Sequence, residues 1–201
     1  MELLLATGNS HKQSEFASIL PEWEILTSRE LGLEFECDET GDSFAQNALQ
    51  KAEALYALSA RAVIADDSGL CVDALGGEPG LHSARFGQGP GKTLDARQKY
   101  ELLLSRLDGI KNRGAAFVCS LILYLEPRRY YLFQETCPGS ITLTPRGVGG
   151  FGYDPVFLLP ELGRTMAELT ESEKNIYSHR GRAGAALRAF LSVHGETLGL
   201  V

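Results

Sequence analysis

The chain has 201 residues, 44% of them hydrophobic and 22% charged, enough for one large domain or two small lobes that bury roughly 70% of the unfolded surface. No apolar run reaches the ~20 residues that would cross a bilayer, and Met1–Leu5 lacks a basic leader, so no membrane role and a cytoplasmic location are expected. A net charge of −7 argues against nucleic acid as a partner, and Cys37, Cys71, Cys119 and Cys137 form no CxxC pair, which argues against zinc.

Residues 2–6 (ELLLA) read as a short apolar strand. The turn Thr7-Gly8-Asn9-Ser10-His11-Lys12 follows, then an amphipathic helix carrying Phe16, Ile19 and Leu20, with Ser10 and Gln13 as its capping box. Strand, glycine turn and capped helix point backbone N–H groups at an anion, so this turn with Lys12 suits a polyphosphate. The acidic stretch Cys37–Asp42 precedes a second helix that starts near Ser43, with Phe44, Ala48 and Leu55 on its core face, and Ser43 with Gln46 as another capping box. That helix sets Asn47 and Lys51 four residues apart on one face, where Lys51 can meet phosphate and the acids at Asp38 and Glu39 a hard cation.

Residues 62–66 (AVIAD) form a buried strand ending at Asp66-Asp67-Ser68-Gly69. Two adjacent carboxylates there are costly unless neutralised, which Mg²⁺ shared between Asp67 and the acids near Glu39 would do. The run GQGPGKT at 87–93 looks like a phosphate-cradling P-loop, but only three residues separate Gly87 from Gly91 where the motif needs four, and no buried strand precedes it. It is expected to be a loop before a helix capped near Thr93. Residues 115–125 and 129–137 read as a hairpin turning at Glu126–Arg128, with further strands at 141–144 and 156–159 and helices at 165–177 and 182–193. Between them lies the glycine-rich loop 145–155, where Phe151, free of neighbouring bulk, suits stacking on a planar base, and Lys174 and Arg180 suit a phosphate or a base carbonyl. Elements alternating in this way predict an α/β chain with a mixed sheet.

Taken in order, LLATGNSHK (4–12), ETGDSFAQNALQKA (39–52), VIADDSGLCVDALGGEPGLHSARF (63–86), GGFGYDPVF (149–157), AELTESEKN (167–175) and SHRGRA (178–183) resemble the inosine triphosphate pyrophosphatase, or HAM1-like, family over nearly the whole chain. The resemblance implies one elongated domain, residues 1–201, of two lobes around a central cleft. It implies Mg²⁺-dependent hydrolysis of ITP, dITP and XTP to the nucleoside monophosphate and pyrophosphate, by a homodimer. It carries proton acceptance to Asp67, metal binding to Asp38 or Glu39 together with Asp67, and substrate contacts to Thr7, Gly8, Asn9, Ser10, His11, Lys12, Lys51, Ser68, Phe151, Gly152, Tyr153, Asp154, Lys174, His179 and Arg180. Gln46 stands where the family usually has Glu, so metal affinity is expected to differ here. The alternatives are a pyrophosphatase with another base preference and a non-catalytic nucleotide-binding module.

Overall fold

A computed structural model describes residues 1–89, 91 and 93–200. Seven strands form one mixed sheet in the order β2-β1-β3-β4-β5-β6-β7. These are β1 (Glu2–Leu5), β2 (Glu24–Thr27), β3 (Val63–Val72), β4 (Gly114–Glu126), β5 (Arg129–Ile141), β6 (Phe157–Leu159) and β7 (Arg164–Thr165). The helices are α1 (Ser10–Ile19), α2 (Phe44–Ser59), α3 (Ala96–Arg106), α4 (Glu171–Tyr177) and α5 (His179–His194). β1 runs parallel to β2 and to β3, with Leu4 opposite both Leu26 and Val63, while β6 pairs antiparallel with β5 and β7.

The chain divides into two compact units, residues 1–67, 119–135 and 179–201 in the first and 68–118 and 136–178 in the second. In the first, strand alternation sorts side chains to two faces. Leu3, Leu5 and Ile64 pack with Phe16 and Ile19 of α1 and Ala183, Leu187 and Leu191 of α5. Leu4, Ala6, Val63 and Ala65 pack with Ala48, Ala52 and Leu55 of α2. The second unit has its own core, in which Leu70, Val72, Phe117, Cys137 and Phe157 meet Leu103 and Leu107 of α3 and Tyr153.

Several boundaries differ from the sequence expectations. Asn9, not Ser10, caps α1: its side chain accepts from His11 N, and Gln13 instead donates to Ile25 O at 3.1 Å. β3 does not end at the acids but continues to Val72, paired onward through Cys71 with Pro79 and from Val72 N to Glu78 O. α3 is capped by Asp95, in a full capping box with Gln98, rather than near Thr93. Residues 165–177 are not one helix: Thr165 belongs to β7, a single 3₁₀ turn follows at Met166–Glu168, and α4 starts after its own cap, Thr170. α5 starts at His179 rather than 182, and no separate strand covers 141–144, since β5 itself runs to Ile141. In the run 87–93, Pro90 and Lys92 lie outside the described residues.

α1 and α5 approach closely because Gly184 has no side chain: a Cβ there would lie 2.7 Å from Ile19 Cγ2. Gly184→Val is therefore expected to destabilise the protein by about 1–3 kcal/mol through overpacking, read by chemical denaturation. A change below about 0.5 kcal/mol would mean the two helices tolerate wider spacing.

Candidate functional site

The two acids at Asp66-Asp67 face opposite ways because successive side chains of a strand alternate. Asp66 follows Ile64 to the face covered by α1 and α5, and Asp67 follows Ala65 to the face covered by α2.

Asp66 is 1% exposed and meets cations from both helices on its side. Lys12 Nζ lies 3.0 Å from Oδ1, and Arg180 reaches Oδ2 through Nε and Nη2, each at 3.1 Å. The third guanidinium nitrogen, Arg180 Nη1, donates to Glu15 Oε2 at 2.6 Å. Burial pushes the Asp66 carboxyl up, but Lys12, Arg180 and Lys51 outweigh it and hold the group well below the usual carboxylate range. Burial lowers Lys12 despite Asp66, whereas for Arg180 the carboxylates of Asp66 and Glu15 outweigh burial and raise it. The cost expected for adjacent carboxylates is thus met, for Asp66, by the protein's own cations.

Asp67 is in a different setting. Its Oδ2 accepts from Asn47 Nδ2 at 3.0 Å, and Lys51 Nζ is 3.6 Å from Oδ1. Burial raises its carboxyl above the ordinary range, with Lys51 and Asn47 pulling only part of the way back. Lys51 is itself buried, and its ammonium also donates to Glu39 Oε1 at 2.7 Å and to Asp66 O at 2.8 Å. Asp66, Asp67 and Glu39 together keep Lys51 charged against its burial. Asp38 is exposed, and of the two acidic candidates Glu39 is the one that pairs with Lys51, which also stands beside Asp67.

The loop carrying Glu39 is strapped to α2 by neutral amides, one residue after another. Thr40 N donates to Gln50 Oε1 at 3.3 Å, Gly41 N to Asn47 Oδ1 at 2.8 Å and Asp42 N to Gln46 Oε1 at 2.7 Å. Gly41 has to be glycine, because a Cβ would lie 2.7 Å from Gln46 Cβ. Gln46 therefore acts as an acceptor for the loop backbone, a task its amide oxygen performs without a charge.

At the start of α1, Thr7, Asn9 and Lys12 are half-buried while Gly8, Ser10 and His11 are exposed. Asn9 N donates to Thr7 Oγ1 at 3.1 Å, which folds the turn on itself. His179, at the start of α5, is buried.

In the second unit Asp154 is the organiser. Its Oδ2 accepts from Phe151 N at 2.8 Å and from Lys174 Nζ at 2.7 Å. Lys174 Nζ also stands 4.7 Å from the centre of the half-buried Phe151 ring. Gly150 and Gly152 take positive φ of 69° and 63°, and a side chain at Gly150 would collide with the Asp154 carboxylate. Tyr153 turns inward, donating to Ser83 O at 2.9 Å within the core. Ser68, on β3, is half-buried.

Sequence reasoning assigned no role to Glu15, Gln50 or the Asn47 carboxamide. A signal for Glu15 was present: it is three residues after Lys12 and next to Phe16, on the side of α1 that faces the core.

Ammonium and carboxylate groups interleaved around a parallel strand, beside a capped helix start, define an α/β protein equipped to handle a phosphorylated ligand. The chain belongs to the Ham1 family, whose model matches residues 3–190. A dITP/XTP pyrophosphatase of Treponema denticola is 47% identical over 191 residues, 95% of this chain and 98% of the relative. A dITP/XTP pyrophosphatase of Geobacillus kaustophilus is 46% identical over 90% of each chain. The Ham1 protein of Staphylococcus aureus superposes with a TM-score of 0.85 at 38% identity, covering 96% of this chain and 100% of its own. A HAM1 protein of Coxiella burnetii gives 0.86 at 33% identity over 96% and 99%.

Glu15→Gln leaves Arg180 with one buried carboxylate instead of two. It is expected to cost about 3 kcal/mol, read as a fall in the denaturation midpoint at unchanged slope. A neutral result would show that Asp66 alone suffices for Arg180.

Proposed function

We propose that this Ham1-family chain is a nucleoside triphosphate pyrophosphatase that hydrolyses ITP, dITP and XTP to the monophosphate and pyrophosphate with Mg²⁺. The names of its relatives support the activity and substrate class. The observation that carries the residue assignment is the split of the Asp66-Asp67 pair, in which Lys12 and Arg180 engage Asp66 while Asp67 stands with Asn47, Lys51 and Glu39 on the other face.

The donor set suits the metal. Glu39 and Asp67 bring oxygen ligands to one ammonium, and among the described residues no group of three or more His, Cys, Asp or Glu is placed to hold an ion. Mg²⁺ is commonly held by one or two carboxylates with substrate phosphates completing its shell. Bound there, it would supply charge neutralisation at the phosphates and acidify water.

Lys12, Lys51 and the amides from Gly8 to Lys12 bind the triphosphate and offset its charge. Asp67 accepts a proton from the water whose oxygen attacks the α-phosphorus. The bond from the α-phosphorus to the bridging oxygen breaks, and that oxygen departs with pyrophosphate. Asn47 keeps the other Asp67 oxygen fixed during the transfer. In the second unit we assign the purine to Phe151, with Gly152 allowing close approach. Lys174, held beside that ring by Asp154, is the donor for a 6-oxo group. A 6-amino group would present a donor to that donor, which disfavours adenine. Tyr153 and Asp154 shape this turn, Ser68 contributes from β3, and His179 with Arg180 anchors the start of α5. Arg180 acts on Asp66 and Glu15, to which its guanidinium is bonded. Homodimeric assembly and a cytoplasmic location complete the proposal, with family membership as their support. No helix among the described residues is long and apolar enough to cross a membrane.

Product analysis with ITP, XTP, GTP and ATP, with and without Mg²⁺, tests the reading. Monophosphate plus pyrophosphate, formed fastest from ITP and XTP and only with metal, is expected. Release of orthophosphate with a nucleoside diphosphate would overturn it. Asp67→Asn should lower kcat by about 10²–10⁴-fold with the melting temperature preserved, and near-normal turnover in that variant would remove Asp67 from its role.

A further inference from the structure

We propose that the Lys51 ammonium is a built-in rival of the divalent cation at Glu39 and Asp67, so that the metal binds weakly by itself and enters together with the nucleotide. The inference rests on the reading that Glu39 and Asp67 hold the metal.

Lys51 Nζ is 2.7 Å from Glu39 Oε1 and 3.6 Å from Asp67 Oδ1. The two carboxylate oxygens therefore stand on one ammonium, no farther apart than the sum of those distances. A third oxygen, Asp66 O, accepts from the same nitrogen at 2.8 Å and fixes it from the strand side. The side chain is buried, so water screens little of this attraction. Glu39 is not free to swing away with its loop, because the three residues that follow it are tied by their N–H groups to Gln50, Asn47 and Gln46.

A Mg²⁺ ion needs about 2.0–2.1 Å to each ligand oxygen. It must take Glu39 and Asp67 from the ammonium and then bear the repulsion of a positive charge nearby. The nucleotide resolves the conflict by exchange. Its phosphates offer Lys51 new anionic partners while the carboxylates pass to the metal, and every charge stays matched. Metal and nucleotide then favour each other's binding by the same factor, as linkage requires. Lys51 thus acts before the chemistry as well as during it, by discouraging the metal from settling where no substrate is present.

The test uses the full-length protein without nucleotide and Mn²⁺ as the paramagnetic probe of the Mg²⁺ site. Lys51→Gln keeps a donor for Asp66 O but removes the charge. It is expected to bind Mn²⁺ about tenfold tighter or more than the wild type, and to gain more melting temperature from added Mg²⁺. Asp67→Asn should weaken Mn²⁺ binding in both backgrounds. If Lys51→Gln binds no tighter while Asp67→Asn still weakens binding, the carboxylate site stands and the rivalry is overturned. If Asp67→Asn changes nothing in either background, the metal-site reading falls and the rivalry with it. The wild type supplies an independent check should Lys51→Gln fail to fold. With ¹³C-labelled lysines, saturating Mg²⁺ must move the Lys51 ε-carbon signal as its ion pairs exchange. A signal that stays in place at saturation overturns the proposal.

Discussion

Asp66 is an ionised carboxylate with almost no access to water, and such a group persists only where cations and hydrogen bonds surround it. Here the cations arrive from two helices, Lys12 from α1 and Arg180 from α5. One side chain of β3 thereby ties together segments more than a hundred residues apart in the chain. Arg180 in turn needs Glu15, so α1 supplies both a cation for Asp66 and an anion for its other partner. With Asp66 committed to that face, the pleat commits Asp67 to the opposite one, where α2 offers an amide and an ammonium. The unequal acidity of two neighbouring aspartates follows from strand geometry before any ligand is considered. The salt bridges are better understood as specifying this arrangement than as adding stability, since buried pairs often return little more than their desolvation cost.

Much of the first unit was legible in the sequence. The apolar run at 3–5, the helical spacing of Phe16 and Ile19, and the alanine-lined face of α2 all stand where periodicity placed them. The misreadings share a physical origin in pairing that no local window contains. Asp66-Asp67-Ser68-Gly69 has the composition of a turn, but ladder bonds and the bridge at Cys71 carry the strand through it. Glu24–Thr27 is too short to announce itself and is a strand because β1 lies alongside. TMAELTESE contains Thr-x-x-Glu twice, at Thr165/Glu168 and Thr170/Glu173, and each forms a full capping box. Two helix starts five residues apart mean two short segments, not one long helix.

The residues proposed for the site stood out in the sequence, but their partners in the fold did not. Lys12 and Arg180 stood out as cations for a ligand, and in the structure both also reach the buried Asp66. The choice between Asp38 and Glu39 could not be made from spacing, because it depends on which side of an extended loop faces α2. In the glycine-rich turn two aromatics separated by one glycine looked alike, and the fold sends Phe151 toward Lys174 and Tyr153 into the core. The divergence rests on Asp154, whose carboxylate both closes the turn through Phe151 N and fixes Lys174.

The Asn47 carboxamide, which accepts from Gly41 on one end and donates to Asp67 on the other, also bears on how the molecule ages. Hydrolysis of a side-chain amide replaces its NH₂ by an oxygen and adds a negative charge. At Gln46 such a change would leave the strap intact, because the loop takes only an acceptor from it, whereas Gln50 also donates to Thr40 Oγ1 and would lose that bond. At Asn47 the same lesion would set a second carboxylate against Asp67, with like charges where a donor had been. Placement of Asn47 inside a helix, 1% exposed, withholds the water and the backbone freedom that this hydrolysis needs. The amide whose loss would set like charges together is thus buried in the fold.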